Sequence, residues 1–198
     1  MIDIPGLMMA NLLFSMQVAP GVLIVVSVIR GLILLTGQKR EFEDWTRNWL
    51  LTLLSWVFLP GTMVYVVLRW GISKLFRIDV ENVGLSTTYA ELNLFLKVEK
   101  PPRVVVAVTF LYATVVLSVF TACSMIILPL VFLLDAPVVA ILWYVALGVF
   151  FNTSLRSGDV SLVAASLRKR PRSGALELIV VIAALVILYA QIAGVFVT

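Results

Sequence analysis

The sequence contains no histidine. That removes the commonest metal ligand, the usual general base and the usual pH switch together. It contains one cysteine, Cys123, so neither an internal disulfide nor a Cys-x-x-Cys pair can form. Inside an apolar run, that thiol reads as a small buried hydrophobe. There is no glycine-rich phosphate loop and no serine nucleophile elbow. Charge is also scarce. Asp, Glu, Lys and Arg make up 13% of the residues, about half the share of an ordinary soluble domain.

What is present is mostly apolar. Hydrophobic residues are 62% of the 198, and several runs reach the roughly 20 helical residues that cross a bilayer core. The composition predicts an all-α polytopic membrane protein of about five transmembrane helices, with a small β-hairpin between the second and third spans. A single integral membrane domain is expected over 1–198, with spans near 7–36, 49–69, 104–128, 138–153 and 175–197. Asp3, with no basic residue before the first apolar run, argues against a secretory signal, so 7–36 is read as retained. Pro20 predicts a kink in that span. Arg30, near its end, is expected to reach for the interface. Residues 37–48 (GQKREFEDWTRN) read as a short loop or interfacial helix. The second span carries Pro60-Gly61 and is read as one kinked helix; the alternative is a short apolar segment followed by a separate helix.

Between 77 and 99 the apolar period changes to two. Ile78, Val80 and Val83 form one such run; Leu92, Leu94, Leu96 and Val98 form another, set against Asn93, Lys97 and Glu99. This alternation marks strands with one apolar face, so a β-hairpin is expected over about 77–99. An isolated hairpin is marginal in water, and it should lie against the helices or the membrane surface.

Fifteen Lys and Arg stand against eleven Asp and Glu. They crowd into the loops, where topology and lipid headgroups explain them, and no nucleic-acid role is expected. The loops 69–103 and 153–174 hold eleven of the fifteen basic residues. With five spans, the positive-inside rule places both loops and the N-terminus in the cytoplasm and the C-terminus outside, with the cell membrane as the expected location. This inference changes if Pro60 splits the second span. Arg168, Lys169, Arg170 and Arg172 form a basic cluster before the last span, read as a topology determinant in contact with anionic lipid.

The residues alone display no catalytic constellation. Tyr65 and Arg69 lie four apart on one helical face. The loop carboxylates Asp79, Glu81, Glu91, Glu99 and Asp159 have no spacing that demands acid–base work. Ala190 and Gly194, also four apart, offer a small-residue face on the last span.

The run VFLPGTMVYVVLRWGISKLFRIDVENV, together with Glu99-Lys100-Pro101 and the later NTSLRSGDV, resembles the site-2-protease-like family of intramembrane zinc metallopeptidases. The resemblance covers about residues 56–165. It implies a membrane helix bearing PG-x-x-x-HE-x-x-H, a following edge hairpin, and a late loop whose aspartate completes a zinc site. Here Tyr65 and Arg69 stand where the two histidines belong, and Val66 replaces the glutamate that polarises the zinc-bound water. Leu155-Arg156 replaces a proline-serine, and only Asp159 matches the late loop. One aspartate cannot hold a zinc ion. The resemblance therefore implies a degenerate, non-enzymatic member with no cofactor, in which Arg69 is positioned to pair with Asp159. The expected function is binding or scaffolding another membrane protein, with the lipid bilayer and that protein as partners. An accessory structural subunit of a larger membrane complex is the alternative, and a small transporter the third.

Overall fold

The first helix, α1 (Ile4–Leu35), starts where Asp3 accepts the backbone N–H of Gly6 at 3.1 Å, the usual work of an N-cap carboxylate. Pro20 sits inside it and has no N–H, so the Met16 carbonyl loses its helical partner. The Tyr112 hydroxyl donates to that carbonyl at 3.4 Å from α4 (Val104–Val131). Nearer its start, Asn11 donates to Ser124 Oγ at 2.8 Å and to the Phe120 carbonyl at 3.3 Å. Early residues of α1 therefore meet late residues of α4, and the two helices run antiparallel. The computed structural model describes residues 3–35, 38–39, 46–47, 49–78, 80–86, 91–96 and 101–197.

Pro60-Gly61 breaks the second apolar run into α2 (Trp49–Val57) and α3 (Leu59–Leu75), which meet at 80°. Proline is tolerated in the first turn of α3, where its missing N–H would lack a partner anyway. The Val57 carbonyl, left free at the break, accepts the Tyr144 hydroxyl of α5 (Ala136–Asn152). Gly61 lets α3 approach α5 closely, because a Cβ there would lie 2.4 Å from the Gly148 Cα. At its other end α3 stops in a Schellman motif with Arg77 at φ 53°, an uncommon place for a residue other than glycine. Ile78 N–H bonds the Ser73 carbonyl and Arg77 N–H the Lys74 carbonyl. Ile78 itself packs with Ile72, Ala107, Phe110 and Leu162.

Two further helices follow, α6 (Ser157–Lys169) and α7 (Pro171–Val197). α6 lies at the start of α4, since Leu162 shares a core with Ala107 and Phe110. α7 begins there too, because a Cβ on Gly174 would touch the Val104 side chain at 3.1 Å. Short antiparallel pairs join β1 (Gln38–Lys39) to β2 (Thr46–Arg47), and β3 (Val80–Ser86) to β4 (Glu91–Leu96).

These contacts show which helix ends lie together. Near the end of α1, Ser27 Oγ accepts the Leu155 N–H at 3.0 Å and Arg30 donates to the Phe151 carbonyl at 3.5 Å. The ends of α1, α3 and α5, the starts of α4 and α7, and all of α6 thus share one end of the bundle. The α2–α3 pair, bent by 80°, is a broken span or a re-entrant loop. The start of α1 therefore lies at the opposite end of the bundle from α6 and the starts of α4 and α7.

The fold class expected from sequence is corrected. The expected five spans give way to a bundle of seven helices among the described residues, and of the hairpin expected over 77–99 the described residues hold only the β3–β4 pair. Three are long and apolar enough to cross a membrane, Ile4–Leu35, Val104–Val131 and Pro171–Ile192, or four if the bent pair counts as one span. The fourth expected span, 138–153, is the 17-residue α5, and the linker 153–174 holds α6. Ile78, expected to open a strand, belongs to the cap of α3. Residues 79, 87–90 and 97–100 of the expected hairpin lie outside the described residues.

Candidate functional site

Tyr65, Val66 and Arg69 lie on the buried face of α3, where positions 65 and 69 are one turn apart. Arg69 is only 3% exposed. A charge so placed needs a partner, because removing it from water costs several kcal/mol, on the order of what a buried ion pair must recover. Its Nη2 donates to Oδ1 of Asp159, which is itself 2% exposed, and its Nη1 donates to the Tyr65 hydroxyl at 3.2 Å. The Phe110 ring covers the guanidinium at 5.8 Å. The two residues that sequence places ninety positions apart thus form one unit.

Asp159 is held in position by the helix it starts. It is the third residue of α6, and its Oδ2 accepts the backbone N–H of Arg156 at 3.0 Å. This is one half of a capping box. The reciprocal half would need an acceptor at Arg156, which an arginine side chain lacks. Both carboxylate oxygens are therefore engaged.

Arg156 extends the network. Its Nη2 donates to Asn152 Oδ1 at 2.9 Å, and its guanidinium lies 5.1 Å from the centre of the Tyr65 ring. Asn152 donates in turn to Thr62 Oγ1 at 2.9 Å and to the Gly148 carbonyl at 2.7 Å. A polar chain thus runs Thr62, Asn152, Arg156, Asp159, Arg69, Tyr65, tying α3 to the end of α5 and the start of α6.

This arrangement does not fit a zinc ion. Tyr65 is bonded to a guanidinium, Arg69 brings a positive charge, and Val66 is apolar and 5% exposed. Asp159 already has one oxygen bonded to Arg69 and the other to the Arg156 N–H. Among the described residues, no three His, Cys, Asp or Glu side chains gather as a metal set.

The structure brings Tyr65, Val66, Arg69 and Asp159 together and leaves the basic cluster elsewhere. Arg168 and Lys169 close α6, Arg170 joins the helices and Arg172 lies in the first turn of α7, all exposed. Cations at the end of α6 suit its helix dipole. Sequence reasoning missed Thr62, Asn152 and Arg156, because their partners lie on other elements and no short-range spacing marks them. Of the loop carboxylates named from sequence, Asp79 and Glu99 lie outside the described residues.

No protein-family model matches the chain, and neither a curated protein nor a solved structure matches it significantly.

Proposed function

We propose that this chain is a non-catalytic, multi-pass membrane protein that holds another membrane protein without cutting it. On this reading it keeps the helical scaffold of a site-2-protease-like peptidase and has lost the zinc chemistry. The observation that carries the reading is the buried Arg69–Asp159 pair, with Tyr65 bonded to Arg69, at the positions where that family holds its metal. A guanidinium in this place stabilises the α3–α6 junction and offers neither a Lewis acid nor an activated water.

The partner would dock against α7. Its apolar window is only 11% buried within the chain, and Ala190 and Gly194 are both exposed there. Small residues four apart let a second helix approach closely, which is how helices associate when lipid is as apolar as they are. The basic end would face the cytoplasm of the cell membrane, because Arg30, Arg69, Lys74, Arg77, Arg103, Arg156 and the cluster at 168–172 all gather there. Both chain ends then face outward.

The test is isolation of the full chain in mild detergent beside a Gly194→Ile variant. Clients captured by the unaltered chain and lost by the variant support the reading. A stoichiometric complex that survives both detergent and variant favours the accessory-subunit alternative. A transporter is a second reading, favoured by the broken α2–α3 pair and the intramembrane ion pair, features that mark transport sites. Substrate-dependent flux in reconstituted vesicles, lost with Asp159→Asn, would favour it.

A further inference from the structure

Beside the Arg69 network lies a cavity of about 240 Å³, bounded by α1, α3, α4, α6 and α7. Its floor is formed by Arg69, Ser154 and Asp159, and its walls include Leu23, Val115 and Leu185. The floor is at the basic end of the bundle, where α5 gives way to α6. The walls lead toward the bilayer centre, since Leu185 is fourteen residues into α7, roughly 20 Å along a helix. The cavity is therefore polar at one end and apolar along its length.

Two buried polar atoms of these lining residues have no hydrogen-bond partner among the described residues: Arg69 Nε and the Ser154 hydroxyl. Both residues are 3% exposed. An orphaned donor in an apolar surrounding loses the full value of its solvation, about 1–3 kcal/mol. Water could bond these two groups but would not fill the apolar length, where it finds no partners. Hydrocarbon would. The space exceeds the roughly 150 Å³ apolar cavity that accepts a benzene ring.

We propose that this cavity binds a single acyl chain through an oxygen acceptor at its head. The carbonyl or carboxylate oxygen accepts from Arg69 Nε and the Ser154 hydroxyl, and the chain lies along Leu23, Val115 and Leu185. A free fatty acid and an acyl ester of a bilayer lipid share this chemistry. Either would enter head toward the basic end, as a lipid of that leaflet already lies.

The full chain in lipid nanodiscs, exposed to palmitate carrying a photoreactive diazirine in its tail, tests this. A phosphatidylcholine with the same photoreactive tail forms the second arm. Cross-links at Leu23, Val115 or Leu185 that exceed those at the lipid-facing Ile141 are expected from at least one probe. The arm that gives them identifies the source as free acid or lipid ester. Val115→Phe, which fills the cavity, should abolish these cross-links and leave those at Ile141 intact. Ser154→Ala should weaken competition by unlabelled palmitate about tenfold, the loss of one buried hydrogen bond. Labelling confined to Ile141 and similar surface positions with both probes would overturn the proposal. So would cavity labelling unchanged by Val115→Phe.

Discussion

Arg69 on α3 and Asp159 on α6 form a buried ion pair that joins two elements separated by ninety positions in sequence. Breaking such a pair is costly because the remaining charge stays buried, whereas replacing both partners can be nearly neutral. Asp159→Ala should therefore destabilise the protein by about 3–5 kcal/mol, and Asp159→Asn by less, since an amide oxygen still caps the Arg156 N–H. Arg69→Met combined with Asp159→Ala should be more stable than Asp159→Ala alone. Reversible unfolding in mixed micelles reads these variants together with Arg69→Met alone, and additive losses would contradict the coupling.

The crossing of α3 over α5 depends on a pair of glycines. A Cβ on Gly61 would meet backbone atoms at 2.4–2.6 Å, and one on Gly148 would meet Gly61 Cα at 2.9 Å. Backbone cannot yield as a side chain can, so Gly148→Ala should cost about 1–3 kcal/mol or more. Gly21→Ala and Gly31→Ala, where nothing lies within 4 Å, should be neutral or gain up to about 1 kcal/mol in helix propensity. The same unfolding measurement separates the two classes.

Pro20 and Tyr112 should be coupled through one carbonyl. Tyr112→Phe should cost about 1 kcal/mol in the native background, where it leaves Met16 O unpaired. In a Pro20→Ala background the helix supplies its own N–H, and the same substitution should cost less. A double-mutant cycle with no interaction term would show that the hydroxyl does not answer the proline.

Sidedness can be read directly in vesicles. With Cys123→Ser as background, Asp3→Cys and Arg170→Cys should react with an impermeant maleimide from opposite sides of the membrane. Reaction from the same side would return the chain to the five-crossing arrangement.

That arrangement shows how far the sequence could be read. Apolar content is local, so the membrane class and the runs that became α1, α4 and α7 are visible residue by residue. Pro60-Gly61 is visible too, but not its consequence. Whether a proline kinks a span by a few degrees or turns it back depends on Gly148 and Tyr144, which come more than eighty residues later. With that bend the count of spans falls from the expected five to three, or four if the bent pair is one span. α6 escaped notice because Arg156 is no N-cap residue and because the charges at 168–172 mask the apolar stripe of Leu162, Val163 and Leu167. Ile78 has the pattern of a strand yet serves a helix cap, since period cannot tell which neighbour an apolar residue will meet. The pairing of Arg69 with Asp159 was legible only through a family resemblance, never from spacing.

The proposed function puts the Arg69–Asp159 unit where a metal would stand, with no metal chemistry left. Zinc content of the purified full chain, measured after equilibrium dialysis against zinc at neutral pH, tests it most directly. The account predicts no zinc retained above the detergent blank, unchanged by Asp159→Asn. Stoichiometric zinc in the native chain, lost with Asp159→Asn, would contradict it.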